Sequence, residues 1–279
     1  MPNQSPLTVG HIPYLNCEPF FHYLAEYGFS GQMLSGVPSA LNHMLQRGEL
    51  DCSPSSSFEY ARNWRDYLLL PGHSISSTGP VGSVLLFSPV PLAELGERTI
   101  AITGDSATSI NLLRVLLQEF VGLSAVRDEV PEAPVEKLIA AGKPALLIGD
   151  RALRVAISRP HGMHRFDLGQ LWYQHTGLPF VFALWMVRRD CVARHRTQLQ
   201  ALGLQLTQSR TRFLAEVEHI AAQICLESGL TAQGKIAYWR SIDYALDEAH
   251  LKGLQLFFDL CRKYHLLNDE PQIEFLPQG

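Results

Sequence analysis

Short apolar or β-branched runs alternate with amphipathic segments through the first two thirds of the chain, and longer helical periodicity takes over afterwards. This alternation predicts an α/β protein, because strand–helix–strand successions build sheets covered by helices. Leu7–Ile12 reads as the first strand. Pro19 to Tyr27 carries Phe20, Tyr23, Leu24 and Tyr27 at helical spacing, and Gly28 supplies the stop. Pro38 to Arg47 repeats that pattern and closes at Gly48. Asp51 to Pro54 predicts a short strand that delivers a serine-rich helix start, Ser55-Ser56-Ser57, and Val81 to Ser88 predicts a second, stronger strand.

Two prolines within Ser88-Pro89-Val90-Pro91 interrupt any ladder or helix, so a lobe boundary is expected there. A further α/β unit follows: strand Thr99–Ile102, helices Thr108 to Phe120 and Val135 to Ala141, and strand Ala145–Ile148 ending at Gly149-Asp150. Val181 to Val187 reads as the strand returning to the first lobe. The helices expected beyond it, notably Thr211 to Glu227 and Asp247 to Tyr264, should pack onto that lobe. Residues 1–90 and 187–279 are therefore expected to form lobe 1, and residues 91–186 lobe 2.

Length supports two modest cores over one, since 279 residues exceed the usual span of a single domain. No apolar stretch approaches the roughly 18–20 residues needed to cross a bilayer. A net charge of −4, from 23 basic and 27 acidic residues, gives no electrostatic basis for nonspecific binding to nucleic acid or anionic lipid. The expected partner is a small molecule. Cys17, Cys52, Cys191, Cys225 and Cys261 are scattered without a Cys-x-x-Cys pair and read as reduced thiols. Met1 to Thr8 lacks the basic region and apolar run of an export signal, and Cys17 follows no apolar run that would make it a lipid anchor. A cytoplasmic location is the expectation.

Several segments have residue types suited to chemistry. Gly104-Asp105-Ser106-Ala107-Thr108-Ser109 lies between a predicted strand and helix, where free N–H groups and the helix dipole favour an anion. The same residues also suit a simple helix cap. Thr108 stands where a nucleophile elbow needs its second glycine, and the Gly-Lys-Ser/Thr of a P-loop is missing. Pro54-Ser55-Ser56-Ser57 is the counterpart in the first lobe, again either an anion site or a cap. Two facing anion sites suggest a dicarboxylate. Gly79-Pro80-Val81-Gly82-Ser83 puts a serine at a strand opening, with Gly82 permitting close approach to the backbone. The 11 histidines show no zinc spacing, so no metal is expected. Trp172, Tyr173, Phe180, Phe182 and Trp185 suit a core better than a stack on a ligand.

Val9-Gly10-His11-Ile12-Pro13-Tyr14-Leu15-Asn16, Gly48-Glu49-Leu50-Asp51, Ser77 through Val84 and Ser106 through Ser109 occur in the order found in chorismate dehydratases of the futalosine route to menaquinone. So do Leu147 through Leu153, Asp167-Leu168-Gly169 through Trp172, and Thr176 through Ala183; the chain resembles that family as far as about Trp185. The resemblance implies a type II periplasmic-binding-protein-like fold, with two α/β lobes, two crossovers and the ligand between them. It also implies loss of water from chorismate, with no cofactor. Asn16 and Ser83 would be the catalytic pair at the reacting ring. Tyr14, Ser55, Ser56, Gly82, Thr108, Ser109 and Asp150 would bind substrate, Thr108-Ser109 as a carboxylate anchor. For the proton-abstracting base, Asp150, His11 and the substrate's own side-chain carboxylate all stand open. The sister enzyme forming 1,4-dihydroxy-6-naphthoate is an alternative, less well matched because it would open on a Ser-Pro-Cys-Pro-Asn-like segment instead of Pro13-Tyr14-Leu15-Asn16. A cytosolic carboxylate sensor is the other.

Overall fold

The structure, a computed structural model, describes residues 5–123, 125–224 and 229–277. In chain order the elements are β1 Thr8–His11, α1 Glu18–Phe21, β2 Gln32–Ser35, α2 Pro38–Arg47, β3 Cys52–Ser56, α3 Ser57–Arg62, β4 Tyr67–Ser77 and β5 Val84–Ser88. Then come β6 Thr99–Ala101, α4 Ala107–Val115, β7 Arg127–Glu129, α5 Val135–Ala140, β8 Ala145–Ile148, α6 Gly149–Ser158, β9 His164–Asp167, α7 Leu168–Thr176 and β10 Phe180–Arg188. Four helices complete the described chain: α8 Val192–Ala215, α9 Val217–Gln223, α10 Ala232–Ser241 and α11 Glu248–Lys263.

Two five-stranded mixed sheets result, ordered β2-β1-β3-β10-β4 and β7-β6-β8-β5-β9. Strand β5 runs antiparallel between β8 and β9, so it belongs to the second sheet and not to the first lobe, where 1–90 would have put it. β10 in turn pairs antiparallel with β3 and β4 in the first sheet. The chain therefore passes between sheets in residues 78–83 and again between β9 and β10. Pro89 and Pro91 end β5 instead of dividing lobes. An apolar run such as Val84–Phe87, buried throughout, shows that a strand is central without showing to which sheet.

The period of two along β5 sorts the core. Leu86 joins the large cluster that extends through both lobes, while Leu85 and Phe87 face a small separate cluster with Val135, Ile139 and Leu147. The lobes thus share one apolar core on their inner side. Trp172, Phe180, Phe182 and Trp185 lie in that core as expected, and only Tyr173 of the group is exposed.

A further departure has a local cause. The helix expected over Pro19 to Tyr27 stops at Phe21, because Ser209 of α8 inserts its hydroxyl into the ladder: Oγ donates to the Pro19 carbonyl and accepts from the Tyr23 N–H, both at 3.1 Å. The eleven-residue β4 contains Pro71-Gly72, absorbed as irregular pairing against β10, with Gly72 at φ +79°. The helix expected from Thr211 is the end of α8 and then α9; its stretch 225–227, with Cys225 and Glu227, lies outside the described residues. No described helix is long and apolar enough to cross a membrane.

Candidate active site

A cavity opens between the sheets where three helices begin. It is lined by Tyr14, Asn16 and Cys17 from the loop after β1, Ser55 and Ser56 from the end of β3, Val81 and Ser83 from the first crossing, Ser106 and Ser109 from the head of α4, Gly149 from the head of α6, and apolar side chains including Ile75 and Phe182. Local sequence explains each placement. Ser106 caps α4 by accepting the Ser109 N–H at 3.3 Å. The residue preceding α6 is Ile148, whose side chain cannot cap, and Gly149 at the positive end of that helix lies on the cavity wall. Gly149 there has φ +59°, and a Cβ on it would stand 3.3 Å from the Tyr14 ring. Tyr14 of one lobe thus lies over the helix head of the other.

Among the described residues no lysine, arginine or histidine lines the cavity. Anion recognition would rest on hydroxyls, amides and helix heads. Two polar atoms are positioned for a guest: Asn16 Oδ1 and Ser55 Oγ are buried with no hydrogen-bond partner among the described residues. Such groups cost free energy unless something bonds them.

The loop bearing Ser83 is held from beneath by Asp167, the N-cap of α7. Its carboxylate accepts N–H bonds from Val81 at 3.1 Å, Gly82 at 2.6 Å and Gln170 at 3.1 Å. Burial nevertheless pushes its pKa up, with those bonds acting against the shift. The Ser83 carbonyl accepts from Gly149 N–H at 2.7 Å, which ties the crossing to α6.

Of the nine expected site residues, Tyr14, Asn16, Ser55, Ser56, Ser83 and Ser109 come together on the cavity wall, while Gly82, Thr108 and Asp150 do not line it. Gly82, at φ +73°, shapes the turn and gives its N–H to Asp167. Thr108 is fully buried and spends its hydroxyl between the lobes, on Ser56 at 2.5 Å, Ser57 at 3.2 Å and the Phe58 N–H at 3.0 Å. Asp150 accepts the Leu15 N–H at 3.4 Å, and burial raises its pKa. His11, half-buried, packs on Phe21 with ring centroids 4.5 Å apart and does not line the cavity; burial lowers its pKa. Asn16 and Ser83 are each in a loop, one leaving β1 of the first sheet and one entering β5 of the second.

Sequence reasoning missed α10. Tyr238 donates its O–H to Ser83 Oγ at 2.9 Å, and Trp239 donates Nε1–H to the Leu15 carbonyl at 2.7 Å. Nothing in the local pattern Ala232–Ser241 marks these residues as more than an apolar helix face. Cys17 also lines the cavity, and burial pushes its thiol far up, so it stays protonated. Among the described residues no group of His, Cys, Asp or Glu is arranged to hold a metal ion.

The profile of the menaquinone biosynthesis family matches residues 7–263. A chorismate dehydratase of Thermus thermophilus is 34% identical over 266 residues, which cover 90% of this chain and 94% of that protein. A chorismate dehydratase of Campylobacter jejuni is 32% identical over 204 residues, 70% of this chain and 72% of that one. Among solved structures, a protein of Archaeoglobus fulgidus superposes with a TM-score of 0.73 at 16% identity, covering 96% of this chain and 100% of that one. The alkanesulfonate-binding protein SsuA of Xanthomonas axonopodis superposes with a TM-score of 0.68 at 16% identity, covering 96% of each chain. The fold is thus that of the two-lobed periplasmic binding proteins.

Proposed function

We propose that this chain, which belongs to the menaquinone biosynthesis family, is a chorismate dehydratase that removes water from chorismate to leave 3-[(1-carboxyvinyl)oxy]benzoate. The observation that carries this reading is the 34% identity with the Thermus thermophilus enzyme along 90% of the chain. We assign the step to the futalosine route, and the protein to the cytoplasm as a carbon–oxygen lyase acting without a cofactor.

The cavity chemistry supports it. Chorismate has two carboxylates, and the cavity offers hydroxyls and an uncapped helix head in place of a basic side chain. Loss of the ring proton beside the ether oxygen sends an electron pair through the diene into the ring carboxylate. Donors around that carboxylate, among them Ser109 and the head of α6, would stabilise the dienolate as an oxyanion hole does. The pair then returns to expel hydroxide from the neighbouring carbon, and the ring becomes aromatic.

The base is best taken as the substrate's own side-chain carboxylate. Asp150 and His11 stand off the cavity wall, and the thiol of Cys17 is held protonated. The carboxylate accepts the ring proton and passes it to the departing hydroxide, so water leaves and the carboxylate is regenerated. Asn16 and Ser83 hold that carboxylate beside the ring, and positioning of this kind together with proton transfer accounts for about 10²–10⁴-fold in rate from the acid–base part alone. Ser55 and Ser56 also line the cavity, where Ser55 Oγ lacks a partner among the described residues.

Incubating the purified protein with chorismate and identifying the product by mass spectrometry tests this. A product 18 mass units lighter, the mass of one water, with an aromatic absorption band and no added nucleotide or metal, is expected. Binding of chorismate without turnover would instead make the protein a sensor.

A further inference from the structure

Ser83 has one side-chain hydrogen-bond partner among the described residues, and that partner already donates to it. The Tyr238 O–H reaches Ser83 Oγ at 2.9 Å, with Tyr238 5% and Ser83 2% exposed. A serine hydroxyl carries one proton and two acceptor positions. With an acceptor position taken by Tyr238, the Ser83 proton remains to be donated, and the cavity that Ser83 lines is where an acceptor can stand. Accepting one hydrogen bond also strengthens the next in a chain, so the phenol makes Ser83 a better donor. Burial pushes the Tyr238 phenol far above its ordinary range, and its proton stays in place.

The ring of Tyr238 lies 3.7 Å from where a Cβ on Gly82 would stand, directly under the turn that presents Ser83. The next residue serves the other half of the pair. Trp239 holds the Leu15 carbonyl, one position before Asn16, and is itself braced edge-on by Phe213 at 4.8 Å between ring centroids. One turn of α10 therefore grips the loop from the first sheet and the crossing into the second.

We propose that Tyr238 is a positioning residue for the dehydration, its O–H fixing the Ser83 hydroxyl as a donor toward the substrate's side-chain carboxylate while Trp239 anchors the Asn16 loop from the same helical turn. The proposal rests on the dehydratase reading and adds to it the direction of a proton.

Tyr238→Phe keeps the ring contacts and removes only the donor. Its kcat on chorismate should fall about tenfold, with KM and the affinity for the benzoate product within about twofold of the parent, the signature of an interaction used in the chemical step. Replacing Tyr238 with 4-aminophenylalanine, which restores an N–H donor at the same place, should recover most of that loss. Adding Tyr238→Phe to Ser83→Ala should cost less than about twofold beyond Ser83→Ala alone, because the two act as a unit. A Tyr238→Phe kcat close to the parent's, beside a slow Ser83→Ala, would overturn the positioning role and leave the dehydratase reading intact. So would fully additive losses, failure of the amino analogue to recover the rate, or a loss of product affinity that matches the loss of rate. No conversion of chorismate by the unaltered protein would overturn both.

Discussion

Thr108 Oγ1 lies 2.5 Å from Ser56 Oγ, a bond between two buried hydroxyls that joins the head of α4 in one lobe to the head of α3 in the other. The Thr108 N–H also donates to Ser56 Oγ at 3.1 Å, and Thr108 Oγ1 accepts the Phe58 N–H at 3.0 Å. The residue that sequence suggests as a carboxylate anchor is instead a clasp between lobes. Its neighbour Ser109 lies on the cavity wall.

Thr108→Val keeps the volume and strands the Phe58 N–H, so the unfolding free energy should drop by about 1–3 kcal/mol. Ser109→Ala should leave unfolding nearly unchanged and weaken chorismate binding by about 1–3 kcal/mol, the range for a lost charge-assisted bond. Urea unfolding and substrate titration on the two variants separate the roles. Equal loss of affinity in both would return Thr108 to the substrate.

Asn16 and Ser83 should act on rate more than on binding. Asn16→Ala and Ser83→Ala are each expected to lower kcat by about 10²-fold or more, with the double variant less than additive. Because Asn16 Oδ1 and Ser55 Oγ are buried without partners among the described residues, Asn16→Ala and Ser55→Ala should melt no earlier than the parent. Rates within a few-fold of the parent for both Asn16→Ala and Ser83→Ala would put the catalytic centre elsewhere.

The parts of this site legible in sequence are those fixed by local geometry. Ser106 and Ser109 can be read because a short strand followed by Gly104 must deliver a helix head, and Ser55-Ser56 because a strand delivers a helix head there too. Asn16 and Ser83 come only from the ordered set of motifs, since a lone asparagine or serine in a loop says little. Thr108 reads as an anchor in sequence because a hydroxyl at a helix head suits a ligand and a neighbouring lobe equally well, and only the fold brings Ser56 to it. Tyr238 was invisible because its bond spans 155 positions of sequence, from an apolar helix face to a crossing loop. The sheet to which β5 belongs was lost for a related reason: burial on both faces is the same in either lobe.

Gly149 is placed to report on the contact between lobes. Its φ of +59° disfavours any side chain, and a Cβ would press on the Tyr14 ring at 3.3 Å. Gly149→Ala should therefore cost about 1–3 kcal/mol of stability from backbone strain and raise KM for chorismate by displacing Tyr14. Tyr14→Ala in the same chain should relieve the crowding and not the strain. Full recovery of stability in that double variant would show that the backbone is not strained.

His250 at the head of α11 gives the fold a pH-dependent fastening. Its side chain, 3% exposed, faces Asp243 Oδ2 through Nε2 at 3.0 Å and Asp247 Oδ1 through Nδ1 at 2.8 Å. Asp243 exchanges both main-chain bonds with Ser76, at 2.8 Å each, so the cluster fastens α11 to β4. Burial acts to lower the pKa of His250, but the two carboxylates outweigh it and the net shift is upward. Both carboxyls shift downward, chiefly through their contacts with His250, a hydrogen bond at Asp247 and a charge contact at Asp243; the Arg210 guanidinium stands near Asp243 as well. A histidine with a raised folded pKa stabilises fully below its unfolded value of about 6.5, and the contribution fades as pH rises through the folded value. The lowered carboxyls contribute above their unfolded value of about 3.9 and lose that contribution as pH falls through the folded one. The cluster should therefore be strongest between about pH 4 and 6.5. The difference in unfolding free energy between the parent and His250→Gln should peak in that window and shrink as the pH rises through the raised folded value, measured by urea unfolding across pH. A difference that stays constant from acid to alkaline pH would mean that His250 stabilises the fold by packing alone.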